Sequence, residues 1–498
     1  PHDHRPQDYR GVMMVAAAAV AATALAATAA TTTASAAVPT FTFAAPSQFR
    51  MRSYGDDARA RLAAQLRDVE RRVHVHEPDD NDATWRHGTA QRAVWHYVRL
   101  WRDEFDYDAF IDDMNARFPN QFLVDVRSQA AKNNDHLAVR LHYIVDDAPH
   151  THAHYPPLLL LHGWPGSVLE FREFVPKLRA AGAQCSTIVI AALPGFGESR
   201  LGNAFASYDT ATTAALFAAL MVDHLNLTNY VVQGGDWGAL VATDMGGLPR
   251  RYAPRGVHVN FAVSPLPLGW HFGLLRSLKT AVQLALPSLF FSADERRRGT
   301  RCVKYIIDHS AYLHRQMSTP LSVAYALSDS PVGLLAYILE HMEAWRDNRN
   351  GTDALFSAYS TAAVLGNVNY YHQTQSISTS MQYYKSNVAL LVARSDDGSP
   401  VVPEHIPTAI AVFPGEICTP PRDWLQLTYR SIVQWTEHAR GGHFAALEVP
   451  DALAEDVANF VQLVAARAAA TDNVPRLVKR VNRLKSQLAD AEHDDGDD

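Results

Sequence analysis

A chain of 498 residues can bury a large core and hold more than one structural unit. Hydrophobic residues make up 47% and charged residues 19%, which excludes a disordered or fibrous polymer. The net charge of -7, with both signs spread along the chain and no basic stripe, speaks against nucleic acid as a partner.

The chain opens on Pro1 rather than Met, as a processed or incomplete product would. Val12 to Val38 is an uncharged run of alanine, valine and threonine, long enough to span a bilayer but weakly apolar. Ala34-Ser35-Ala36 resembles a signal-peptidase site, with Arg5 and Arg10 upstream. The segment therefore fits a membrane anchor, a signal peptide or a low-complexity leader, and each places it outside the folded part.

Helical spacing of Leu62, Leu66 and Val69 predicts an amphipathic helix over Asp56 to Val73. A second is expected over Thr89 to Phe105, where Trp95, Trp101 and Phe105 read as core. Phe122 to Arg127 and His136 to Val145 alternate like a hairpin across Asn133-Asn134-Asp135. Continuous apolar runs follow at Pro156 to Leu161, Ser186 to Ala192 and Tyr230 to Gln233, with a helix expected over Ala211 to Leu225. Strands buried on both faces and separated by helices predict a parallel α/β sheet. Leu274 to Leu289, Ala293 to Ser310 and Pro331 to Trp345 then read as helices, before strands resume at Ile406 to Phe413 and Ile432 to His438. A helical block at the carboxyl edge of a parallel sheet is expected to act as a lid over the ligand site. Arg476 to Leu488 reads as a basic amphipathic helix leading into an acidic tail.

Cys185, Cys302 and Cys418 are too few and too scattered for an expected disulfide framework, so each is read as a buried thiol. The pairs His2/His4 and His74/His76 and the cluster His150/His152/His154 lack the acid or cysteine that would complete a metal shell. With no glycine-rich phosphate cradle either, no cofactor is expected.

The strongest local signal is Gly234-Gly235-Asp236-Trp237-Gly238, where a buried strand turns straight into a helix at Ala239 to Met245. This is the context of a nucleophile elbow, with Asp236 in the slot that serine fills in esterases. An N-cap aspartate explains the string equally well when it is taken alone. Three further features stand in order at strand ends. His162-Gly163-Trp164-Pro165 follows the first buried strand, so the Trp164 and Trp237 N–H groups can form an oxyanion hole. Phe413-Pro414-Gly415-Glu416 ends a later strand with a carboxylate, and Gly441-Gly442-His443 follows the last strand. Asp396 or Asp397, closing the run Val388 to Val392, is a rival to Glu416 as the acid that orients His443.

These motifs resemble the microsomal-type epoxide hydrolases, which include juvenile-hormone epoxide hydrolases, over roughly Pro39 to Ala465. Trp101 to Asp106 and Ala326 to Leu334 extend the resemblance. It implies an α/β-hydrolase fold with a mostly parallel central sheet, a helical lid insertion and an N-terminal wrapping segment. The expected divisions are a leader (1–38), an N-terminal domain (39–150), a core (151–264 and 401–470) interrupted by the lid (265–400), and a charged tail (471–498). The resemblance also implies that Tyr312 and Tyr384, from the lid, polarise the epoxide oxygen, with Tyr383 an alternative to Tyr384. The implied reaction needs only a lipophilic epoxide and water: Asp236 attacks, His443 activates water and Glu416 orients His443. An endoplasmic reticulum or other endomembrane location goes with the anchor reading of the leader. A haloalkane dehalogenase, which shares the Asp-Trp elbow, is the nearest alternative, and a catalytically silent binding protein of this fold is the next.

Overall fold

The computed structural model describes residues 39–470, apart from 68, 74, 79–84, 129–137, 148–154, 184, 203–207, 269–273, 351–354 and 389–400. Several expectations lie outside the described residues: the leader, the Asn133-Asn134-Asp135 turn, Asp396 and Asp397, the C-terminal tail and most of the histidine clusters.

The centre is one sheet of strands β1 (Phe41–Phe43), β2 (Ser47–Phe49), β3 (Gln121–Ser128), β4 (Ala138–Asp147), β5 (Leu158–Leu161), β6 (Thr187–Ala191), β7 (Arg200–Leu201), β8 (Val231–Gly234), β9 (Gly256–Val259), β10 (Thr408–Val412) and β11 (Ile432–Glu437). Its order is β1-β3-β4-β6-β5-β8-β9-β10-β11, with β2 on β3 and β7 on β4. Pairing is antiparallel from β1 to β6 and parallel from β6 through β11. The apolar runs become the interior strands: every residue of β5, β6 and β8 is buried, as helices on both faces require.

β9 (Gly256–Val259) escapes the sequence reading because a histidine and a glycine leave it no continuous apolar run. His258 is fully buried there, and its Nε2 hydrogen-bonds the Asp456 carboxylate at 3.0 Å. The helix expected over Leu274 to Leu289 is divided into Leu274–Ala285 and Pro287–Phe290 by Pro287, which opens the second piece. The one expected over Asp56 to Val73 is likewise two pieces, Asp56–Leu66 and Val69–Arg72.

Between β9 and β10 the described chain is helical, with Ala293–Asp308, Ala311–Ser318, Pro320–Asp329, Pro331–Trp345, Thr361–Thr374 and Ile377–Ser386 the longer pieces after Leu274–Ala285. The N-terminal segment packs on this insertion. Trp101, from the helix Gln91–Asp103, donates its indole N–H to Asn369 Oδ1 at 3.2 Å, and the Tyr54 hydroxyl bonds His372 Nδ1 at 2.9 Å. Its aromatic residues therefore fill a shared core, as their helical spacing predicts.

One expectation is corrected. Cys302 and Cys418 are joined by a disulfide across 116 residues of sequence. The insertion folds back so that the helix Ala293–Asp308 lies against the segment after β10, and separation along the chain says nothing of that. Cys185 is free and buried.

Candidate active site

β8 ends at Gly234, and the chain reverses so tightly that Asp236 takes a positive φ of 48° at the head of the helix Asp236–Gly246. A non-glycine residue in that region marks backbone held under strain by its surroundings. Two glycines make the turn sterically feasible. A Cβ on Gly234 would sit 2.2 Å from the Gly238 carbonyl oxygen, and one on Gly238 would sit 2.3 Å from that of Leu161.

The loop after β5 reaches the same point. The Trp164 N–H donates to Asp236 Oδ1 at 2.8 Å. His162, fully buried and pushed down to about 4 by that burial, accepts from the Leu193 N–H at 3.1 Å and acts as a neutral brace.

The third and fourth contributions come from the ends of β10 and β11. His443 Nε2 lies 3.2 Å from Asp236 Oδ2, and its Nδ1 lies 2.6 Å from Glu416 Oε1. The two loops are tied together by the Gly415 N–H donating to the Gly441 carbonyl at 2.9 Å. The insertion contributes as well: the Trp345 carbonyl accepts from the His443 N–H at 2.8 Å, and the Trp345 ring lies edge-on to the imidazole at 5.1 Å. Burial by itself would depress His443, but the charge of Glu416 and the hydrogen bonds to Asp236 and Glu416 outweigh it. The imidazole is carried up to about 10, so it rests protonated between two carboxyl groups.

Above Asp236 the insertion supplies an aromatic wall. Tyr312 stacks on Trp164 at 5.5 Å, and Tyr384 meets Trp237 edge-on at 4.8 Å. Burial first, and then charges that include Asp236, raise both phenols well above their usual value. They remain neutral O–H donors. The Tyr312 hydroxyl touches that of Tyr305 at 2.9 Å, while the buried Tyr384 hydroxyl makes no hydrogen bond of ordinary geometry among the described residues and faces Trp237 and Tyr312.

Comparison with known proteins shows the family and the fold. Residues 47–171 match the family described as epoxide hydrolase N terminus, and residues 156–265 match the alpha/beta hydrolase fold. Epoxide hydrolase 1 of Oryctolagus cuniculus is 31% identical over 418 residues, covering 79% of this chain and 84% of the rabbit protein. The chain belongs to the microsomal-type epoxide hydrolase family. Solved structures of epoxide hydrolases carry the same fold. The juvenile hormone epoxide hydrolase of the silkworm Bombyx mori superposes with a TM-score of 0.69 at 25% identity, covering 84% of this chain and 95% of that one. The Aspergillus niger epoxide hydrolase does so with a TM-score of 0.66 at 26% identity, covering 84% and 97%.

In this epoxide hydrolase the structure brings Asp236, His443, Glu416 and the Trp164 N–H into direct contact, with Tyr312 and Tyr384 above them. Trp237 stands next to Asp236, but among the described residues its N–H makes no hydrogen bond to that carboxylate; its indole ring packs on Tyr383 and Tyr384. The Tyr383 hydroxyl is engaged by Thr213 at 3.0 Å. Sequence reasoning missed Trp345, whose carbonyl holds the His443 backbone, and Asp347, whose carboxylate accepts from the Gly441 N–H at 3.2 Å. Both close a helix that read only as lid. It also missed Glu170, a half-buried acid a few residues beyond the His162 turn whose Oε1 faces inward. No helix of the described residues is long and apolar enough to cross a membrane, and the anchor reading rests on residues outside them.

Proposed function

We propose that the protein converts a lipophilic epoxide into a vicinal diol through a covalent alkyl ester on Asp236. The observation that carries this reading is the continuous chain Glu416–His443–Asp236 beneath two neutral phenols. An epoxide has a strained ring but a poor alkoxide leaving group, so it needs a nucleophile and an acid together. Asp236 Oδ2 attacks a ring carbon while Tyr312 and Tyr384 donate to the epoxide oxygen. The Tyr384 ring faces that of Tyr312 beside Asp236, which suits that task, whereas the Tyr383 hydroxyl turns to Thr213. Two hydroxyl donors also favour an epoxide oxygen over the halide of a haloalkane.

The proton inventory closes. In the resting protein the Asp236 carboxylate helps keep His443 protonated. Esterification removes that charge, and the proton of His443 becomes available to the alkoxide. The neutral imidazole is then the base that activates water against the ester carbonyl. The Trp164 N–H, with that of Trp237, stabilises the resulting oxyanion, and Glu416 holds the imidazole in one orientation. Collapse sends one water proton through His443 to the departing diol oxygen, and the other passes from the new Asp236 carboxyl to His443, which restores the carboxylate and the charged imidazole. Serine at the elbow would leave an ether that water does not cleave.

His443→Gln should stall after ring opening, and intact-protein mass spectrometry should then show one substrate mass added at Asp236. A variant that turns over at the parent rate with no adduct would contradict the scheme. The uncharged run at residues 12–38 supports placing the protein on an endomembrane, where lipophilic epoxides concentrate. Deleting it should release the protein from microsomes if it is the anchor.

A further inference from the structure

Behind Asp236, on the side away from the tyrosines, lies a small cavity of about 20 Å³ lined in part by Glu170, Gln233, Asp236, Asn260 and His443. One water fits such a space if polar partners face it. Two are present: among the described residues, Glu170 Oε1 and Gln233 Oε1 are buried without a hydrogen-bond partner, while the Gly163 and Ser167 backbone bonds to the Glu170 carboxyl. The orientation of Gln233 is set by its Nε2 donating to Asn260 Oδ1 at 3.0 Å, which leaves the oxygen as an acceptor. Glu170 is fixed as tightly, for a Cβ on Gly166 would lie 1.4 Å from its Oε1. Glu170 and Ala446 also line a second cavity of about 50 Å³, between Phe110, Arg172, Glu173 and Ser360. Glu170 thus lines both cavities.

We propose that this cavity seats the water that hydrolyses the Asp236 ester, and that Glu170 and Gln233 hold it there. The inference rests on the covalent reading above. Donor and acceptor accounting assigns each partner. The water gives one proton to His443 Nε2 and hydrogen-bonds Gln233 Oε1 with the other. A donor must then meet one lone pair so that the second points at Asp236 Cγ. Glu170 supplies that donor. Burial first, and the facing Asp236 charge second, push its carboxyl up to about 8, so it is protonated at neutral pH and does not compete as a nucleophile. The larger cause, burial, persists once Asp236 is esterified. The other groups that face it are His443 from the sheet end and Tyr371 from the helix Thr361–Thr374, whose hydroxyl donates to the Gly166 carbonyl at 2.7 Å. As the water attacks, its first proton passes to His443; the bond from the substrate carbon's oxygen to Cγ then breaks and that proton goes to the departing diol oxygen, while the second proton, left on the new Asp236 carboxyl, passes to His443 and restores its charged form.

The test separates the two half-reactions by stopped-flow tryptophan fluorescence with styrene oxide. Glu170→Leu should alkylate at the parent rate and hydrolyse the ester about 10- to 100-fold more slowly. Glu170→Gln keeps a neutral donor. It should hydrolyse near the parent rate and lose the fall in hydrolysis that the parent shows as pH rises through the Glu170 titration. Gly166→Ala, which leaves Glu170 in place but displaces its carboxyl, should behave like Glu170→Leu and carries the test if the leucine variant does not fold. Parent-like ester hydrolysis in both variants would overturn the water site, as would a glutamine variant as slow as the leucine one. Absence of any ester in His443→Gln would instead overturn the covalent reading on which it rests.

Discussion

Two buried histidine–carboxylate clusters stand at the β8–β11 side of the sheet among the described residues, and they are bonded differently. Asp456, in the helix over residues 450–470, accepts from His258 Nε2 at 3.0 Å and His438 Nε2 at 3.1 Å, and from Gln434 as well. Those bonds outweigh the burial of Asp456 and hold its carboxyl well below the usual range. Both oxygens are taken, and the cluster ties β9 and the end of β11 to the terminal helix. Asp236 is bonded on one oxygen by Trp164 and on the other, more loosely, by His443. It sits on strained backbone, and its side chain keeps 15% of its exposure while that of Asp456 keeps 1%. The same residue types make a clamp when every lone pair is filled, and a nucleophile when one oxygen is left facing substrate and an oxyanion donor stands ready.

That contrast can be broken most severely at the nucleophile. Asp236→Asn should lose on the order of 10⁴-fold or more in kcat/KM, with the thermal midpoint unchanged because asparagine tolerates the positive φ. Undiminished turnover would remove Asp236 from the chemistry. Replacing Tyr312 and Tyr384 together by phenylalanine should cost about 10²- to 10³-fold in ring opening, read as the alkylation rate. Loss of thermal stability without loss of rate would make the pair structural.

Asp456→Asn should do the opposite. It should cost about 1–3 kcal/mol of stability, measured by denaturant unfolding, with kcat little changed. Because the folded value is depressed, this stabilisation is present above the unfolded value near pH 4 and fades as the pH falls below it. The gap between parent and variant should therefore narrow in acid.

A further effect is expected in the pH dependence of stability at His443. Its folded value is raised to about 10 from the usual 6.5, so its contribution is fully present below 6.5 and lost as the pH rises through 10. The thermal midpoint of His443→Gln should accordingly vary less between pH 7 and 10 than that of the parent.

The contrast also marks what could be read from the chain alone. Asp236, Glu416 and His443 were legible because each sits in a glycine-rich turn at a strand end, where local backbone demands write themselves into adjacent residues. The parallel strands were legible as apolar runs. Asp456 and His258 were not, since a histidine in a four-residue strand and an aspartate in a helix carry no local sign of one another. Glu170 opened no motif of its own, and its meaning depends on a cavity shared with Gln233. Cys302 and Cys418 fail for the same reason, because a contact across 116 residues has no signature in spacing.

The central claim is that an oxygen of Asp236 leaves with the product of the first turnover. With enzyme in excess over epoxide in heavy-oxygen water, the first diol should be free of label and the label should appear in the Asp236 side chain on peptide mass analysis. Label in the first diol, with none in Asp236, would show that water attacks the epoxide directly and that no ester forms.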